Sequence, residues 1–141
     1  MEIGIFAKTF TRPTLEDTLD AVELAGLHVV QFNMVCAGLP SMPDAIDAMV
    51  VKRIQQAMAA RDIRMAAVSG TFNMIHPNVQ VRQDGLRRLD VLARACKPMG
   101  TGMITLCTGT RDPNDMWRAH PDNQSPEAWQ DLTEMMAKAL E

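Results

Sequence analysis

Short apolar runs along the chain alternate with longer stretches in which apolar residues return every three or four positions. Ile3 to Phe6 is the first such run, bounded by polar residues, and predicts a strand buried on both faces. Leu15, Leu19 and Val22 then recur at helical spacing after Pro13 and Thr14, and Gly26 stands where a left-handed C-cap belongs. Val29, Val30 and Phe32 predict a second strand. A loop marked by Gly38, Pro40 and Pro43 follows, and Ile46, Met49, Val50, Ile54, Ala57 and Met58 trace the next helical face.

The plan repeats twice more. Met65 to Val68 predicts a strand and Leu86, Leu89, Leu92, Ala93 and Cys96 a helix, with Pro98 and Gly100 as its stop. Met103 to Leu106 predicts the fourth strand. After a long polar loop, Ser125, Pro126 and Glu127 supply an N-cap, a first-turn proline and an early acid, and Trp129, Leu132, Met136 and Leu140 form the helix stripe. Strands starting at Val29, Met65 and Met103 lie 36 and 38 residues apart, room for a strand and a crossover helix. The expectation is a single α/β domain over residues 1–141 with four β/α units. It either curls as half of a (β/α)8 barrel or flattens into a flavodoxin-like parallel sheet.

At 141 residues, 47% of them hydrophobic, the chain holds one ordinary core. A net charge of -3 and scattered lysines and arginines give no basic stripe, which argues against nucleic acid as a partner. No apolar run approaches the roughly 20 residues that span a bilayer, and no secretory leader opens the chain. Cys36, Cys96 and Cys107 are odd in number and far apart, which fits a reduced cytoplasmic protein rather than a disulfide framework or a thiolate zinc site.

In either architecture, functional groups gather beyond the carboxyl ends of the strands. Here those positions hold Lys8, Thr9 and Arg12; Gln31 and Asn33; Ser69, Thr71, Asn73 and His76; and Cys107, Thr108, Thr110, Arg111 and Asp112. Lys8 is a candidate for an anionic or carbonyl substrate, with a solvated lysine as the plain alternative. His76 is open to three roles: metal ligand, partner of a sugar hydroxyl, or cap of the next helix. Cys107 has no histidine nearby in sequence and reads as pocket packing rather than a nucleophile. The glycine-containing segment Cys107 to Arg111 offers backbone N–H groups to an anion but matches neither the phosphate-loop nor the dinucleotide fingerprint. Trp117 falls in a loop as a cover for a ligand's apolar face, and Trp129 falls on the helix stripe as core.

The segments SGTFNMIHP (Ser69 to Pro77) and ITLCTGTRDPNDMWRAHPDN (Ile104 to Asn123) resemble the sugar phosphate isomerase/epimerase group, the xylose isomerase-like TIM barrels. GIFAKTF (Gly4 to Phe10) and VQFNM (Val30 to Met34) are similar too. The resemblance implies the first four of the family's eight units. It also implies pocket walls from Phe6 or Lys8, Ser69, His76, Cys107, Thr108, Gly109 and Trp117. In the full-length family a divalent metal (manganese, magnesium, cobalt or zinc) is bound by carboxylates and a histidine of the later strands. The expected function is therefore part of a metal-dependent sugar or sugar-phosphate isomerase/epimerase, inactive alone and without cofactor in this chain. The alternatives are a homodimeric half-barrel that binds a small molecule, and a non-catalytic oligomerising piece. Two open edges and an uncovered inner face predict a homodimer or higher homo-oligomer.

Overall fold

The computed structural model describes residues 2–141. Its strands are β1 (Ile5–Phe6), β2 (Val29–Phe32), β3 (Arg64–Ser69) and β4 (Ile104–Thr105), and its helices are α1 (Leu15–Leu24), α2 (Ala48–Ala59), α3 (Val79–Met99) and α4 (Pro126–Ala139). The four strands form one sheet in the order β1-β2-β3-β4, every pair parallel. A flavodoxin-like sheet reverses its strand order part-way. This one does not, so the barrel-type expectation stands and the flattened alternative falls.

Local chemistry explains the helix boundaries. The Thr14 hydroxyl accepts from the Asp17 N–H at 3.1 Å and donates to its carboxylate at 2.6 Å, capping α1. Asp47, Asn78 and Ser125 accept first-turn N–H groups in the same way for α2, α3 and α4. Helix α3 starts earlier than its apolar stripe suggests, because Asn78 caps it and its first two turns bury Arg82 and Gly85 rather than aliphatic residues. Pro98 lies inside its last turn, and the left-handed Gly100 alone ends the helix.

One side of the sheet is packed. Val30, Phe32, Met65 and Val68 meet Leu15, Leu19 and Val22 of α1, Ile54, Ala57 and Met58 of α2, and Leu92, Ala95 and Cys96 of α3 in one core. A smaller cluster of Phe72, Met74, Leu89 and Met135 joins α3 to α4. Gly85 makes it possible, since a Cβ there would lie 2.1 Å from the Phe72 ring. The opposite, concave side carries Phe6, Gln31 and Thr105. Phe6 and Gln31 share a register position, and the Gln31 amide donates to the Thr105 hydroxyl at 2.9 Å, past β3.

Four expectations shift at the periphery. β1 and β4 are shorter than their apolar runs, with Ile3 and Met103 exposed, because each edge strand has a neighbour on one side only. Met49 is exposed in the first turn of α2, and Ala95 replaces the exposed Ala93 on the buried face of α3. In α4, Ala128, Leu132, Met135 and Ala139 turn inward while Trp129, Met136 and Leu140 face outward, so Trp129 is not core. No helix among the described residues is long and apolar enough to cross a membrane.

Candidate functional site at the carboxyl ends of the strands

The loops after β3 and β4 are built as one unit. Asn73, buried, donates from Nδ2 to the Thr110 carbonyl at 2.7 Å and accepts the Thr110 N–H at 3.0 Å and the Ile75 N–H at 3.3 Å on Oδ1. Gly109 lies against this amide with φ +82°, and a Cβ would come within 2.1 Å of Asn73 Oδ1. Both backbone conformation and space therefore require glycine there.

A second ring of bonds holds the long β4 loop. The Thr110 hydroxyl donates to the Arg118 carbonyl at 2.7 Å and lies 3.0 Å from Asn123 Oδ1, which also accepts the Arg111 N–H at 2.7 Å. Asp131 of α4 then bridges Arg82 of α3 at 2.8 Å and Arg111 of the loop at 2.7 Å. The Asp112 carboxylate accepts the N–H groups of Asn114 and Asp115, which hold it below the usual carboxylate range, with Arg118 at 3.5 Å assisting.

Six of the eight anticipated pocket residues divide among three clefts. Cys107, Thr108, Gly109 and Trp117 come together, lining a cleft of about 240 Å³ with Thr110, Met116, Arg118 and Asn123. His76 lines a neighbouring cleft of about 360 Å³ with Thr71, Asn73, Arg88 and Asp112. Lys8 lies far across the sheet in a small cleft with Arg12 and Cys36. It is exposed there, as the solvated-lysine alternative expects. Phe6 occupies the concave face at the β1 edge, and Ser69 is buried at the end of β3 with its hydroxyl 3.5 Å from that of Thr71.

Few of these groups are poised for proton transfer. Burial pushes the Cys107 thiol up, and its S–H donates to the Phe72 carbonyl at 3.4 Å. Burial likewise raises Cys36 against the opposing pull of Lys8. His76 accepts the Asn78 N–H on Nδ1 at 3.0 Å within its own loop and lies 3.3 Å from the Pro113 carbonyl through Nε2, so both ring nitrogens are engaged and Nε2 ties the β3 loop to the β4 loop.

A family model described as a xylose isomerase-like TIM barrel matches residues 19–141. The chain belongs to that family. As a xylose isomerase-like TIM barrel, it is similar in structure to apo 3-keto-D-glucoside 4-epimerase from E. coli, with a TM-score of 0.67 at 14% identity. The likeness covers 99% of this chain and 49% of the epimerase, so the chain spans about half the length of the solved structure it matches. At that identity the likeness concerns fold alone. No curated protein matches the chain in sequence.

The metal implied for xylose isomerase-like barrels finds no donor set among the described residues. Among the described residues no three His, Cys, Asp or Glu side chains gather to hold an ion. His76 has both nitrogens engaged, and Asp112 accepts two N–H groups on one oxygen and faces Arg118 with the other. These residues do not fit a divalent cation. The sequence pattern gives no sign of Asn123 and Asp131, two of the side chains that anchor the β4 loop. Asn123 stands at the end of a polar loop and Asp131 beside a helix stripe, and neither position signals a partner distant in sequence.

Proposed function

We propose that this chain forms the substrate-binding wall of a sugar or sugar-phosphate isomerase/epimerase, acting in aldose–ketose isomerisation or ketose epimerisation, and that it is inactive alone. The observation that carries this reading is the cleft where Trp117 stands exposed beside Cys107, Thr108 and Gly109. An indole face takes the C–H side of a sugar, while hydroxyl and backbone groups take its polar edge. The fold shared with a sugar epimerase supports the ligand class. Inactivity follows from the lining, which offers a thiol held protonated and an arginine but no carboxylate or imidazole to move a proton. Ligands for the metal implied for the family would have to come from residues other than those described. Three free cysteines suit a reducing, cytoplasmic setting.

Titration with D-fructose followed by amide NMR tests the binding. Saturable shifts centred on residues 107–110 are expected. Trp117→Ala should weaken them about tenfold, equivalent to about 1.4 kcal/mol. A titration without saturation, or one indifferent to Trp117→Ala, would remove the sugar assignment. Epimerisation of a ketose by the purified chain with manganese would overturn the inactivity.

A further inference from the structure

We propose that two copies of this chain close head to tail, the β4/α4 edge of each against the β1/α1 edge of the other. Phe6 and Lys8 of one copy then come beside Cys107, Thr108 and Gly109 of the second. The proposal rests on the preceding reading only for what that shared cleft would bind.

The area is the first argument. A compact monomer of 15.6 kDa exposes about 7,250 Å² by the usual mass scaling. This chain exposes 8239 Å², an excess of about 1,000 Å². A stable interface removes about 800 Å² from each partner, so the surplus is of the size that one dimer contact would cover.

The two edges also match in depth. Parallel strands enter the sheet from one end, so Ile3, just before β1, and Met103, just before β4, lie at that end, 68% and 59% exposed. The helices run back to the same end, where Leu24 closes α1 and Leu140 follows α4. At 91% and 83% they are the two most exposed large apolar side chains among the described residues. Joining the edges puts Ile3 against Met103 and Leu24 against Leu140. Trp129 and Met136 extend the apolar strip along α4, beside a cavity of about 480 Å³ lined by Ala128, Trp129 and Leu132.

Topology supplies the third argument. β1 and β4 each pair on one side only, leaving a row of backbone donors and acceptors free at each edge. Two four-stranded arcs supply eight parallel strands, the number at which a barrel of this class closes. A two-fold axis along the barrel generates both seams at once and leaves no open edge. In the single chain Phe6 and Lys8 stand at the opposite edge from Cys107. Closure makes them neighbours.

Sedimentation velocity on the full chain without ligand, from micromolar to millimolar concentration, tests the assembly. A particle of twice the chain mass is expected. Leu24→Glu and Leu140→Glu should each raise the dissociation constant by at least about tenfold with circular dichroism unchanged, since both side chains are exposed in the single chain. The double variant Leu24→Lys/Leu140→Glu should recover most of that loss, because the two positions face each other only across this seam. A monomer throughout the range overturns the proposal, and so does a dimer insensitive to both glutamates or one that the charge pair does not rescue. The measurement uses no sugar, so its failure leaves the ligand assignment untouched, and a failed titration leaves the assembly untouched.

Discussion

The first three β/α units and the fourth are held to the molecule by different forces. α1, α2 and α3 press aliphatic side chains onto β2 and β3 in a continuous core. α4 adds only Met135, with Leu132 and Ala139 beside it, to a small cluster and is tied in further by Asp131, clasped between Arg82 and Arg111. The contrast follows from position. A barrel helix packs between its own strand and the next, and α4 has only the short β4 beside it. Where apolar partners are few, ion pairs and a stapled loop fix the unit, and its larger apolar residues remain at the surface.

Unequal costs should follow, and they fall in a definite order. Phe32→Ala, in the core of the first three units, should lose about 3–5 kcal/mol in urea unfolding and affect the whole chain. Asp131→Asn should cost roughly 2–3 kcal/mol, less than a deeply buried pair because Asp131 keeps part of its surface in water. Its signature is regional: amides of α4 and the β4 loop should exchange faster while those of β2 and β3 stay protected. Equal acceleration everywhere would show that the fourth unit is not held separately. Gly109→Ala should cost about 2 kcal/mol through strain and its collision with Asn73, and should broaden amide signals from 73 to 76 together with those from 108 to 111.

The smallest effect concerns acid. Asp112 has a folded pKa below its unfolded value, so its stabilisation is present above the unfolded value near pH 4 and is lost as pH falls through the folded one. Asp112→Asn should therefore lower stability at neutral pH and flatten the decline below pH 4. An acid limb identical to that of the parent chain would show that the N–H groups of Asn114 and Asp115 do not favour the carboxylate.

Strand and helix order were legible because each buried face is a local pattern, as with Leu15, Leu19 and Val22. The face of α4 was not. Two stripes run along it one residue apart, and the one with the bulky residues Trp129, Met136 and Leu140 looked like core although Ala128, Met135 and Ala139 are the ones turned inward. Cys107, Thr108, Gly109 and Trp117 were legible as a group because strand topology places them at one end of the sheet. The bonds that shape their cleft join positions far apart in sequence, Asn73 to Thr110 and Arg82 to Asp131, and no periodicity announces such pairs.

The bond from Gln31 to Thr105 crosses the concave face over an intervening strand. Alternate strands of a flat sheet stand roughly 9.5 Å apart, and inward curvature brings their side chains together. The bond therefore rewards bending within a single arc. A ring made from such arcs inherits its radius from each piece, so closure needs only two ends that meet and no force from the far wall to bend them.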